Sequence, residues 1–324
     1  MNGREMGGRS RRFAQRTGES NVIIIRVMGG LGNQLQQYAL YRKFQNLGAE
    51  AKLDLAWFSK RSQAQAAAPR QLALSDFEDL PMETADAAQV RALLGRTYEE
   101  KAKVTEKLRK RLAPQKYLLF EETEMYHPQI FSLRKQYLAG YWACEAYYAD
   151  IMGMLREEIR FPRSEDERNR AIMEEMQSRP SVSIHVRRGD YLDAANASMF
   201  GGICTEAYYD SCIRYLQERY SDAVFYVFSD DADYVRAHYQ GPEYRIIDWN
   251  QGKDSFYDMQ LMSCCHHNIC ANSTFSFWGA RLNKNPQKIM LRPSIHKNTQ
   301  ICVPEQMKKL WAGWTLVTPE GAVI

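Results

Sequence analysis

Between residues 182 and 291 short runs rich in β-branched and aromatic residues alternate with stretches of helical spacing, with no internal sequence repeat at solenoid spacing. Strands are expected over 182–186, 224–228, 245–247, 268–271 and 288–291, with helices over 206–220, 231–238, 255–265 and 275–282. Strand–helix alternation at this pitch leaves little choice but a parallel, doubly wound sheet, because parallel neighbours need a crossover and the helices cover both faces. Ligands of such sheets sit at the carboxyl ends of the strands, so those ends are where chemistry is sought.

A second α/β stretch opens the chain. Val22-Ile23-Ile24-Ile25-Arg26-Val27 reads as a buried strand, followed by Gly29-Gly30-Leu31-Gly32-Asn33 as a turn and a helix that Gly48 ends. Strands follow at 51–55, 117–120 and 137–141, and residues 60–116 read as mostly helical. At 324 residues the chain exceeds one core of ordinary size. It divides into a basic, disordered tail over 1–21, an α/β unit with a helical insertion over 22–165, an α/β unit over 180–300, and a terminal segment over 301–324.

Composition narrows the function. The net charge is +4, but residues 1–21 carry five arginines against two glutamates, and residues 91–116 carry nine Lys/Arg against three acids. The remainder is acidic, which argues against a nucleic-acid binder. The two basic stretches suit solvent, an anionic lipid surface at the inner face of a membrane, or an anionic substrate. The longest apolar run in the N-terminal part is 22–25, far short of a membrane span. Seven cysteines without framework spacing point to free thiols and a cytoplasmic protein.

Four constellations fall at strand ends. The glycine loop lets a backbone approach an anion at a helix N-terminus, and Asp54 lies 22 residues beyond Gly32, but Leu35 takes the place of a third glycine. The loop is equally a tight turn. Ser183-Ile184-His185-Val186-Arg187-Arg188-Gly189-Asp190-Tyr191 delivers two guanidinium forks suited to a diphosphate. Asp190 can pin one of them or accept a proton from a substrate hydroxyl, and a structural Arg–Asp pair is the plainer alternative. Phe228-Ser229-Asp230-Asp231 reads as a helix cap before it reads as a Mg²⁺ site. Asn272-Ser273-Thr274 ends a strand and opens a helix, offering either an ordinary cap or a phosphate cradle. Upstream, Asp258 offers a carboxylate matched to the paired N–H donors of guanine. Cys264, Cys265, His266, His267 and Cys270 lack the paired spacing of a structural zinc site.

Taken together and in order, the glycine loop, His185-Val186-Arg187-Arg188-Gly189-Asp190-Tyr191, Phe228-Ser229-Asp230-Asp231 and Ala271-Asn272-Ser273-Thr274-Phe275-Ser276-Phe277-Trp278-Gly279-Ala280 resemble the family-11 α-1,2-fucosyltransferases, over nearly all of 22–291. The resemblance implies a GT-B-like pair of Rossmann-type domains and an inverting, metal-independent transfer from GDP-β-L-fucose to the 2-hydroxyl of a terminal galactose. The implied acceptor is an oligosaccharide or a lipid-linked glycan. Arg187 and Arg188 would stabilise departing GDP. Gly30, Gly32, Asn33, Gln34, His185, Asp258, Asn272, Ser273, Thr274 and Phe275 would line the donor. Asp190 is the nominated base, with Glu145 behind it, and Tyr141 and Trp142 are candidate sugar-stacking rings. Two departures stand out: Leu35-Gln36 where relatives more often read Met-Phe, and Cys265-His266-His267 where Cys-Lys-His is common. Two other classes stay open, a dinucleotide-dependent oxidoreductase built on the glycine loop and Asp54, and a non-catalytic sugar-nucleotide binder.

Overall fold

The computed structural model describes residues 21–64, 69–97, 116–121, 125–191, 193–298 and 304–324. The expected disordered tail and most of the basic stretch near 91–116 lie outside the described residues. No helix among the described residues is long and apolar enough to cross a membrane.

Two parallel sheets form the molecule. The first contains β1 (Val22–Arg26), β2 (Glu50–Asp54), β3 (Leu118–Phe120) and β4 (Gln136–Ala139) in the order β2-β1-β4-β3. The second contains β5 (Ser181–Val186), β6 (Val224–Ser229), β7 (Tyr244–Ile247), β8 (His267–Ile269), β9 (Met290–Pro293) and β10 (Trp314–Val317), ordered β10-β9-β8-β5-β6-β7. Strand order reverses beside β5, which opens the crevice that doubly wound sheets use for ligands. Two such α/β units make the GT-B-like arrangement expected from the sequence.

β1 is an apolar run for a physical reason. Ile23, Ile24 and Ile25 are fully buried, since a parallel strand is covered on both faces. Burying each such side chain contributes about 1.5–3 kcal/mol. The core of the first unit continues into the second: Phe256, Met259, Trp278 and Leu282 belong to the same apolar cluster as Ile23, Leu35 and Tyr148. Tyr148 and Trp278 stack at 5.7 Å across that junction.

Three departures from the sequence reading have visible causes. Among the described residues of 60–116 only Lys60–Gln63 and Ala87–Leu94 are α-helical, with a 3₁₀ turn at Ala73–Asp76. Pro69 and Pro81 interrupt that stretch, each lacking a backbone donor and fixing its own φ. The first helix, Leu31–Asn46, starts inside the glycine loop, so Gly32, Asn33 and Gln34 lie in its first turn and not in a preceding turn. The sixth strand, β10, comes from the segment beyond 300 and pairs with β9 in register Trp314–Met290 through Val317–Pro293.

Candidate active site

At the end of β1 the chain turns through Gly29, whose φ of 83° is costly for any residue with a Cβ. Gly30 caps the helix without a side-chain acceptor, leaving its first N–H groups to other partners. Gly32 is needed for contact: a Cβ there would lie 2.5 Å from the Thr274 carbonyl carbon. Asn33 Oδ1 accepts from Thr274 Oγ1 at 3.0 Å, so the glycine loop of the first unit meets the Asn-Ser-Thr turn of the second directly. Gln34 is a staple, donating to Gly29 O and Gln71 O and accepting from Ala73 N and Leu74 N. Gln37 is another, joining Met28 N to Gly140 O. Asp54 is buried and accepts from Tyr137 Oη at 2.7 Å and from Ala56 N, which accounts for its oxygens inside the protein.

The second unit's strand ends are charged. Arg187 Nη1 lies 2.9 Å from Asp230 Oδ2, and Arg188 Nε lies 3.0 Å from Asp231 Oδ2. The Arg188 N–H donates to Asp230 Oδ1. The helix Ala232–His238 is capped by Asp231, which accepts from Tyr234 N, one residue beyond the Ser229 or Asp230 expected from the sequence; Ser229 Oγ instead accepts from Asp231 N. The Tyr234 N–H first, and Arg188 next, lower the Asp231 pKa. Arg188 lies over the Tyr234 ring at 3.6 Å, turned toward the β6 side, while Arg187 faces Tyr191 at 5.6 Å. Among the described side chains, Asp230 and Asp231 at the end of β6 pair with these guanidinium groups. The side chain of Asp190, the nominated base, lies outside the described residues.

His185 is buried with Nδ1 lacking a hydrogen-bond partner, beside Phe275 at 5.8 Å. Burial first, and Arg187 second, push its pKa down to about 3, so it is a neutral ring near pH 7, with its Nδ1 unengaged. Ser273 caps the helix Thr274–Leu282 by accepting from Phe275 N. Asn272 is an internal hub: its Nδ2 donates to Phe200 O and His296 O, and its carbonyl accepts from Tyr191 Oη.

Asp258 Oδ1 accepts from Asn250 Nδ2 at 2.8 Å, within a network that includes Asn169 and Trp249. Burial raises its pKa to about 7. Glu145 is committed elsewhere, accepting from Arg281 Nε at 3.1 Å and Trp314 Nε1 at 2.8 Å. Trp142 is 1% exposed and belongs to the core, whereas Tyr141 is 41% exposed. His266 and His267 are used locally, by Ser181 Oγ and Ile289 N. Sequence reasoning passed over Gln36 as a site residue and missed Arg292 altogether. Gln36 is one of three glutamines in the first two turns of its helix, so nothing in sequence singles it out, and nothing there marks a strand arginine as buried.

Two α/β units with parallel sheets, meeting where the glycine loop of one contacts the Asn-Ser-Thr turn of the other, make a GT-B-like arrangement. The chain belongs to glycosyl transferase family 11, whose model matches residues 96–315. An Escherichia coli alpha-1,2-colitosyltransferase is 30% identical over 279 residues, covering 85% of this chain and 92% of its own. The Escherichia coli O-antigen biosynthesis glycosyltransferase WbnK is 40% identical over 114 residues, 35% of this chain and 38% of its own. Galactoside alpha-(1,2)-fucosyltransferase 1 of Aotus azarae is 31% identical over 108 residues, 33% of this chain and 30% of its own. Among solved structures, Arabidopsis thaliana FUT1 in complex with GDP aligns with a TM-score of 0.46 at 13% identity, covering 89% of this chain and 74% of that one. That likeness is too slight to carry an argument about the site.

Proposed function

We propose that this glycosyltransferase moves L-fucose from GDP-β-L-fucose to the 2-hydroxyl of a terminal galactose, with inversion and without a metal. The observation that carries the reading is the contact of the glycine loop with the Ser273–Thr274 helix start through the Asn33–Thr274 hydrogen bond, with Arg187 facing Tyr191 at 5.6 Å and the Tyr191 hydroxyl donating to Asn272 O of that same turn. Inversion puts negative charge on the leaving diphosphate. Arg187 supplies a planar donor pair for it, and two helix N-termini add N–H groups and the positive ends of their dipoles. These groups take the charge-neutralising role that a divalent cation otherwise fills. His185, neutral, offers a ring nitrogen to the nucleotide, and Asp258 accepts from guanine. Asp190 takes the acceptor proton.

Colitose as the transferred sugar is the second reading, favoured by the relative that covers most of both chains. One assay separates the possibilities: donor hydrolysis and transfer with GDP-fucose, GDP-colitose, GDP-mannose and UDP-galactose against a panel of galactosides. Turnover of GDP-fucose with a new α-1,2 linkage is expected. Transfer from a uridine donor alone, or nucleotide binding with no transfer, would overturn the proposal.

A further inference from the structure

On the opposite side of β8 from Arg187, buried polar groups of both units meet without enough partners. Arg292, on β9, is 1% exposed, its Nε has no hydrogen-bond partner, and no described carboxylate pairs with it. Its guanidinium lies between the rings of Phe277 at 3.9 Å and Trp311 at 3.4 Å, so only its edge, where the N–H donors lie, remains for a ligand. Arg281, equally buried, has its Nε on Glu145 while Nη1 and Nη2 are unpartnered. Of these two buried guanidinium groups, only Arg281 is paired with a described carboxylate. Burial, and then the field of Arg281, lower the Arg292 pKa to about 9.

From the other unit comes Gln36, fully buried, with both amide atoms unpartnered. Gln36, Thr274, Phe277, Arg292, His296 and Trp311 line a single small cavity of about 10 Å³. That space holds one solvent-sized species. A water there satisfies hydrogen bonds but leaves the buried positive charge uncompensated, which is costly in a low-dielectric interior.

We propose that this cavity is an anion site, taking a single halide-sized anion or the tip of a carboxylate between the Arg292 guanidinium edge and the Gln36 amide N–H. The occupant bridges the two units one helix turn from the Asn33–Thr274 contact, so its binding holds the crevice closed. Two sources supply this chemistry, a free halide or a carboxylate carried on the acceptor glycan. The second rests on the transferase reading above, and the first does not.

The test uses the full chain at fixed ionic strength, with chloride or bromide replacing a bulky sulfonate anion. In the wild type the thermal midpoint should rise saturably with either halide, and bromide should give an anomalous scattering peak inside the cavity. Arg292→Met keeps bulk between the two rings and should abolish the halide dependence. Gln36→Leu should raise the apparent halide dissociation constant roughly tenfold, the equivalent of one lost hydrogen bond, and serves alone if the arginine variant does not fold. In halide-free buffer, either variant should lower kcat/KM for a carboxylate-bearing galactoside more than for a neutral one if the acceptor is the source. A halide response that survives in both variants overturns the proposal, as does the absence of both a halide response and an acidic-acceptor effect. Failure of every acceptor to react would remove the transferase reading alone, since the midpoint measurement still decides the site.

Discussion

The carboxyl ends of the two sheets are built to opposite plans. In the first unit Gln34, Gln37 and Asp54 are buried and engaged by backbone groups and Tyr137, so the polar residues there hold shape. In the second unit Arg187, Arg188, Asp230 and Asp231 form ion pairs that are about a quarter to a third exposed, and His185 keeps a ring nitrogen open. A polar residue with satisfied bonds costs the fold nothing further to keep, whereas a half-exposed ion pair contributes little to stability. Under the proposed function the second arrangement serves binding, and the first serves architecture.

The sharpest way to break that contrast is Arg187→Lys, which keeps the charge and loses the planar fork. Under the proposed function kcat should fall on the order of 10²–10³, by analogy with a removed oxyanion donor. The thermal midpoint should move little, because the Asp230 pair is partly exposed. Near-normal kcat in a less stable protein would assign Arg187 to architecture instead, and both quantities are read on one preparation.

Asp258→Ala should raise the donor KM by the equivalent of about 1.5–3 kcal/mol, the loss of a charged hydrogen bond. A pH dependence accompanies it. With the carboxyl pKa raised to about 7, acidification through pH 7 protonates it in the free enzyme and removes its capacity to accept both guanine donors. Wild-type kcat/KM for the donor should therefore fall as pH drops below about 7, and the alanine variant should lose that limb. A pH profile identical in the two proteins takes Asp258 out of the donor site.

Gly32→Ala probes the seam between the plans. The added methyl meets backbone and not a flexible side chain, so the units must separate there. Overpacking of this kind costs about 1–3 kcal/mol. Calorimetric unfolding should show the loss, and kcat should drop with it, while an unaltered midpoint would mean that the seam is looser than described. The smallest effect is expected from EDTA, which should leave turnover unchanged. Abolition by chelation with recovery on Mg²⁺ or Mn²⁺ would turn Asp230 and Asp231 from arginine partners into metal ligands.

Much of this was legible in the sequence. The run over 22–25 is apolar without interruption because both faces are covered, and the pattern reports that directly, whereas 182–186 carries the buried polar Ser183 and His185 between its apolar residues. The motifs fell at strand ends, as parallel topology requires. What sequence hides is pairing between distant segments. Arg187 and Arg188 find their acids about 43 residues on, at the end of β6. Asn272, which reads as a phosphate ligand, is occupied by Phe200 and His296. Glu145, which reads as a spare carboxylate, neutralises an arginine 136 residues away. Side-chain neighbours of this kind depend on three-dimensional packing, and no local period encodes them. Between 69 and 86 the helical expectation failed for a different reason: the composition of the middle of the chain favours helix, and Pro69 and Pro81 override it there, while 65–68 and 98–115 lie outside the described residues.

The hydrogen bond from Thr274 to Asn33 spans 241 residues of chain. During synthesis the glycine loop leaves the ribosome long before its partner exists. At about 5–20 residues per second that wait is roughly 12 to 50 seconds. Throughout it the loop's contact surface, including the Gly32 face that later meets the Thr274 backbone, stands open. Catalytic competence is thus among the last properties a nascent chain acquires, and a chain halted before residue 274 carries half a crevice with nothing to close it.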